Sequence, residues 1–231
     1  MKTIGLIGGM SWESSSLYYQ IINKTVQEKL GGVHSSKSIL YSVDFDEIAA
    51  LQKEGDWEKL GKLMAEAAQS LEKAGADFII LCTNTMHKLS DEIEKNVSIP
   101  LVHIVDTAAE KIQSQNFKKI GLLGTSFTME QDFFKGRLLE KYKIETLIPD
   151  QEQRTEIHRV IYEELVKGII NNNSRNFFLE VIADLIDKGA EGIILGCTEI
   201  ELLITKEYTK APLFNTAEIH AQKAVELALK S

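Results

Sequence analysis

The sequence predicts an α/β fold built as two similar lobes, each around a parallel sheet. Three observations lead there. Short apolar runs bounded by turn residues alternate with longer amphipathic stretches, the pattern of β-α units. The second half of the chain repeats the first. A length of 231 residues with 44% hydrophobic content supports one large domain or two small lobes. Taken in order, the apolar runs predict strands at Thr3–Leu6, Ser38–Val43, Phe78–Leu81, Leu101–Ile104, Lys119–Leu123, Glu145–Ile148, Gly192–Leu195 and Leu213–Phe214. The longer amphipathic stretches predict helices at Trp57–Ala74, Glu152–Lys167, Ser174–Lys188 and Ala217–Leu229.

The repeat is collinear. Lys2-Thr3-Ile4-Gly5-Leu6-Ile7-Gly8 is echoed by Lys118-Lys119-Ile120-Gly121-Leu122-Leu123-Gly124, an offset of 116 residues. Gly75-Ala76-Asp77-Phe78-Ile79-Ile80-Leu81 is echoed by Gly189-Ala190-Glu191-Gly192-Ile193-Ile194-Leu195 at offset 114, and Pro100-Leu101 by Pro212-Leu213 at offset 112. A single β-α-β echo would be weak; three in order predict lobes 1–115 and 116–231, with the C-terminal helix free to cross back onto the first. Ligands of such folds sit beyond the carboxyl ends of the strands. The site is therefore expected in the cleft between the lobes, and the 114-residue offset sets Thr83 opposite Cys197.

Composition excludes several classes of function. A formal charge of −8 leaves no broad basic surface for a phosphate backbone, so no nucleic-acid partner is expected. The start of the chain lacks the apolar segment of a signal peptide, and no run reaches the ~18 residues of a membrane helix. Cytoplasmic location without membrane attachment is the expectation. Two distant cysteines, Cys82 and Cys197, exclude a disulfide framework. Five histidines show no close ligand spacing, so no metal is expected and each reads as a surface or capping residue.

The chemistry-bearing residues gather where strands end. Cys82-Thr83-Asn84-Thr85-Met86-His87 follows one strand and Gly196-Cys197-Thr198-Glu199 its repeat partner. Hydroxyl, amide and thiol groups at a strand-to-helix turn, with backbone N–H groups at the helix start, suit a carboxylate; the same residues also serve as ordinary helix caps. Cys197 reads either as a buried small apolar group or as a thiolate whose pKa is lowered at a helix N-terminus. Cys82, one position out of register, reads as packing. The turns Gly8-Gly9-Met10-Ser11-Trp12 and Gly124-Thr125-Ser126 match neither a dinucleotide nor a P-loop spacing, so NAD and ATP are not supported. Met10 and Thr125 are candidate pocket residues on them, although glycine there also simply makes tight turns.

Together, Ile4-Gly5-Leu6-Ile7-Gly8-Gly9-Met10-Ser11-Trp12-Glu13-Ser14, Asn84-Thr85-Met86-His87 and Gly196-Cys197-Thr198-Glu199 resemble the aspartate/glutamate racemase family, within it the YgeA-like branch of broad-specificity amino-acid racemases. The resemblance implies two pseudo-symmetric Rossmann-like lobes, no pyridoxal phosphate or metal, an amino-acid substrate and a homodimer. It further implies two acid/base groups on opposite faces of the substrate α-carbon. Here these are Thr83 and Cys197, with Asn84, Thr85, Thr198 and Glu199 around the substrate. The chain departs from the family at Thr83, where a first cysteine is expected, which makes the site asymmetric and suggests a proton relay through His87. It departs again at Val166, where aspartate-specific relatives carry a basic residue; Lys167 lies one place beyond. An arginine expected near Asp46–Leu51 is also absent, leaving Gln52 as the nearest polar side chain. A carbanion-forming decarboxylase of the same superfamily and a non-catalytic amino-acid binder are the competing readings.

Overall fold

The computed structural model describes residues 1–230. They form two compact units, Met1–Ile104 with the chain from His220 onward, and Val105–Ile219. The first unit holds β1 (Ile4–Gly8), α1 (Trp12–Leu30), β2 (Ser38–Ser42), α2 (Phe45–Glu54), α3 (Trp57–Lys73), β3 (Phe78–Leu81), a 3-10 helix at Thr85–Leu89, α4 (Ser90–Asn96) and β4 (Leu101–Val102). α5 (Ile104–Gln113) leads into the second, with β5 (Lys119–Gly124), α6 (Ser126–Glu130), α7 (Asp132–Tyr142), β6 (Glu145–Leu147) and α8 (Gln151–Glu163). There follow a 3-10 helix at Leu165–Lys167, α9 (Asn172–Asp187), β7 (Ile193–Gly196), α10 (Ile200–Leu203), β8 (Leu213–Asn215) and α11 (Thr216–Leu229).

Each unit contains one four-stranded sheet, in the orders β2-β1-β3-β4 and β6-β5-β7-β8, and every strand pair is parallel. The predicted α/β architecture of repeated parallel sheets is thus present. Central strands β1, β3 and β7 are buried along their length, which is why they read as unbroken apolar runs rather than alternating ones. Against the first sheet α3 lays a stripe of Leu60, Met64, Ala67, Ala68 and Leu71, spaced for one helix face, and Asp56 caps its start by accepting from Lys59 N–H. Each large side chain so buried contributes roughly 2 kcal/mol.

Two predicted elements stop short of their expected ends, and two helices were not expected. The expected helix to Lys167 stops at Glu163 and tightens to a 3-10 turn, because Gly168 (φ 73°) closes it in the left-handed region and its N–H bonds Leu165 O. The strand expected to reach Ile104 ends at Val102, since Ile104 begins α5 and gives its N–H to the His87 ring. Helices α1 and α2, which the apolar pattern did not single out, start from side-chain caps at Ser11 and Asp44.

The end of α11 belongs to the first unit and is pinned there by His220, which is fully buried. Its Nε2 lies 2.8 Å from Val102 O, an acceptor, so Nε2 carries the proton and Nδ1 accepts from Tyr18 OH at 2.9 Å. Burial lowers the His220 pKa to about 4. Because the folded pKa lies below the unfolded value, this linkage is fully present above about pH 6.5 and is lost as the pH falls toward 4. It is worth about 3 kcal/mol. His220→Gln should therefore lose less stability than the parent between about pH 7 and pH 4.5 in urea titrations; an equal loss would mean that His220 is not the titrating group.

Candidate active site

In the first unit the chemistry sits on turns after β1 and β3. Gly9 has φ 94°, and a Cβ there would lie 2.2 Å from Val43 O, so only glycine lets this turn pass. Gly9 N–H donates to Ser15 Oγ at 2.7 Å, and the next residue, Met10, is buried beside it. After β3, Cys82 is fully buried, as the register implied. Its carbonyl accepts from Ser14 OH at 2.9 Å. Thr83 follows, half-buried, with Asn84 and Thr85 buried after it. Gln52 is buried on α2, its amide 3.2 Å from Met86 Sδ, so part of its bonding capacity goes to the core.

Of the surface or capping roles expected for the histidines, the surface one fails for His87, His103 and His220: all three are buried in the first unit, with His87 4.7 Å from His103 and 5.7 Å from His220 between ring centroids. His87 lies in the 3-10 helix after β3, His103 in the turn between β4 and α5, and His220 on α11. His87 Nδ1 is 2.7 Å from Thr83 O and must donate; Nε2 accepts from Ile104 N–H at 3.1 Å. Both ring nitrogens are thus committed to the backbone, which removes the expected relay from His87 to the Thr83 hydroxyl. The ring instead holds the Thr83 carbonyl in place.

In the second unit Thr125 caps α6, accepting from Thr128 N–H, and the next residue, Ser126, bonds His158 Nδ1 on α8 through both N–H and hydroxyl at 3.2 Å. After β7, Cys197, Thr198 and Glu199 are all buried. The Cys197 thiol donates to Glu199 Oε2 at 3.0 Å and the Thr198 hydroxyl donates to the same oxygen at 2.7 Å. The expected lowered thiol pKa is not found. Burial first, then the Glu199 charge, push Cys197 well above its ordinary value, and α10 is a single turn with too few aligned peptides to offset them. Tyr162 on α8 feels the same two groups; burial, then Cys197 and Glu199, push its phenol up to about 12. Sequence reasoning missed Tyr162, whose only signal is its place on the inner face of α8.

Within the units the structure therefore places Met10, Thr83, Asn84 and Thr85 on turns at the carboxyl ends of the strands of the first sheet, with Gln52 against Met86 there, and Thr125, Cys197, Thr198 and Glu199 at the carboxyl ends of the strands of the second. Lys167 stands apart, exposed on its 3-10 turn. The four arginines lie in the second unit and all have protein partners: Arg137 on Asp106, Arg154 on Glu130, Arg159 on Glu156, Glu163 and Glu164, and Arg175 on Leu203 O. Lys88 lies 3.8 Å over the Trp57 ring, and burial lowers its pKa. Among the described residues no three His, Cys, Asp or Glu are grouped to hold a metal ion, and no helix is long and apolar enough to cross a membrane.

The sequence matches the Asp/Glu/hydantoin racemase family over residues 7–224. The broad-specificity amino-acid racemase RacX of Bacillus subtilis strain 168 is 24% identical over 232 residues, 98% of each chain. A candidate Asp/Glu racemase from Yersinia pestis superposes over 100% of both chains with TM-score 0.94 and 52% identity. An aspartate racemase homologue from Pyrococcus horikoshii OT3 does so with TM-score 0.86 and 36% identity. Glutamate racemase from Francisella tularensis, at 16% identity and TM-score 0.66 over 98% of this chain and 80% of its own, shares the fold.

Proposed function

We propose that this chain, which belongs to the Asp/Glu/hydantoin racemase family, inverts the α-carbon of amino acids by removing a proton from one side and returning one from the other, without a cofactor. Cys197 and Thr83 are the two acid/base groups in this reading. The observation that carries it is the thiol–carboxylate pair Cys197–Glu199 at 3.0 Å, on the turn that repeats the Thr83 turn at offset 114. The resting thiol holds its proton and is a donor; once Glu199 takes that proton, the sulfur is a base. The carbanion is held as an enolate-like carboxylate by donors from Asn84, Thr85 and Thr198. Met10, Gln52 and Thr125 complete the pocket.

Thr83 is the weaker partner, because a hydroxyl ionises far less readily than a thiol. It returns a proton rather than abstracting one, so the two directions run at unequal rates. Thr83→Cys should raise exchange from its side by roughly tenfold, read as the ratio of initial α-proton loss from the two enantiomers; an unchanged ratio removes Thr83 from the mechanism. With the arginines engaged and Lys167 exposed, the substrate set is broader than aspartate and glutamate, in keeping with the name of the Bacillus relative. The working protein in this reading is a cytoplasmic homodimer with both cysteines as free thiols, and light scattering should give about twice the mass of one chain. The deciding experiment follows α-proton signals of acidic, neutral and basic L-amino acids in D2O, with chiral analysis. Exchange with appearance of the D-form supports the proposal. No exchange with any amino acid would overturn it in favour of carbanion-forming decarboxylation or binding alone.

A further inference from the structure

The repeat sets Ile104 against Thr216 at offset 112, and each is the first residue of the helix that follows the last strand of its sheet. Each is tied to the strand that carries the site turn, but by different means. In the second unit the Thr216 hydroxyl donates to Leu195 O on β7 at 2.9 Å, two residues before Cys197. In the first unit the β3–β4 ladder ends with Ile80 beside Val102. Ile79 N–H bonds Pro100 O just before it, so a continued ladder would give Ile104 N–H to Leu81 O. Leu81 O instead accepts from Thr83 N–H at 2.8 Å within the turn. The His87 ring stands between the two segments, accepting from Ile104 N–H at 3.1 Å and donating to Thr83 O at 2.7 Å. The His103 ring packs on it at 4.7 Å, and His220 holds Val102 O on the same segment. His87 is 1% exposed, so water does not stand in for either bond. Cys82, next to Thr83, is held from elsewhere, its N–H on Ile7 O and its carbonyl on the Ser14 hydroxyl.

We propose that His87 is a positioning residue for the proton that Thr83 delivers: a neutral imidazole with its proton on Nδ1, it fixes the Thr83 carbonyl to the start of α5 and so sets where the hydroxyl stands. This rests on the reading of Thr83 and Cys197 as the acid/base pair. The ring must be neutral, because a protonated one has no acceptor for Ile104 N–H. In the direction that Cys197 starts, the thiol sulfur takes the α-proton and the carbanion is closed in one of two ways. Thr83 gives its hydroxyl proton from the far side and regains one from solvent, which inverts the centre. Alternatively the Cys197 thiol, its proton exchanged with solvent, returns one on the side of removal, which retains the centre. Loss of the His87 bonds displaces Thr83 and slows the first route alone. The Thr216 bond lies on the Cys197 side, through which both routes pass, so its loss slows both together.

In D2O the ratio of inversion to deuteration with retention reads this directly, from α-proton signals with chiral analysis. His87→Leu, which fills the space but bonds neither partner, should lower that ratio roughly tenfold. His87→Gln, whose amide offers one donor and one acceptor, should stay within about twofold of the parent. Thr216→Val should slow both routes roughly tenfold and leave the ratio where it was. Val26→Ala, a buried change on α1 that also costs stability, should not move the ratio either. A His87→Leu protein that loses stability but keeps the parent ratio makes the ring a structural brace only, and overturns the proposal. Long-range 15N–1H NMR of the intact parent needs neither substrate nor variant. A proton on His87 Nδ1 is expected, and a proton on Nε2 overturns the proposal even if His87→Leu does not fold. If Nδ1 carries the proton while no amino acid exchanges its α-proton, the reading of Thr83 and Cys197 fails and takes the positioning role with it, leaving only the tie between Thr83 and α5.

Discussion

Cys197→Ala is expected to lower α-proton exchange by roughly 10²–10⁴-fold while leaving the fold intact. The side chain is small and buried, and its thiol donates to Glu199, so alanine costs little packing. Glu199→Gln should cost roughly 10²-fold for a different reason. Glutamine can accept the S–H bond but cannot take the proton, so the sulfur must ionise to solvent from a buried site that already holds its pKa high. The Glu199→Gln profile should therefore climb with pH well into the alkaline range where the parent has levelled. A Glu199→Gln protein as active as the parent at neutral pH would remove Glu199 as proton acceptor, and a fully active Cys197→Ala protein would remove the thiol from the chemistry altogether.

Gly9→Ala carries the largest expected loss of stability, on the order of 3 kcal/mol or more. Two costs coincide there: φ is 94°, and the new Cβ would lie 2.2 Å from Val43 O and 2.6 Å from Val43 N, backbone atoms fixed at the end of the sheet. Val43 N–H is bonded to Gly8 O, so the neighbour cannot retreat without breaking that bond. Gly55→Ala separates the two costs. Its φ is 76°, but no atom lies within 4 Å of the added carbon, so about 1 kcal/mol is expected. Urea midpoints of the two variants measure the difference. Equal shifts would show that conformation alone, and not the close approach of Val43, sets the glycine requirement.

The stretches legible in the sequence are those whose environment is uniform along the chain. Ile79-Ile80-Leu81 and Ile193-Ile194-Leu195 are buried on both faces, and burial on both faces demands apolar residues at every position. The repeat made the two sheets readable as copies, and with them the placement of Thr83 and Cys197 at equivalent strand ends. Cys82 was assigned to packing by register alone, and it is fully buried. α1 and α2 were not legible from apolar spacing because their starts depend on single capping side chains, Ser11 and Asp44.

What the tertiary structure decided is the state of the polar groups. Nothing in the chain order announces that His87 spends both nitrogens on Thr83 O and Ile104 N–H, or that His220 joins Val102 to Tyr18 across more than a hundred residues. Nor does a cysteine before Thr-Glu reveal whether it rests as thiolate or thiol. That depends on burial and on the distance to Glu199, both consequences of packing, and they reverse the direction that the helix start alone implied. Apolar pattern is written locally because burial selects residue by residue. Protonation and hydrogen-bond partnership are set by which distant groups the fold brings within three ångströms, and a linear sequence carries no record of that distance.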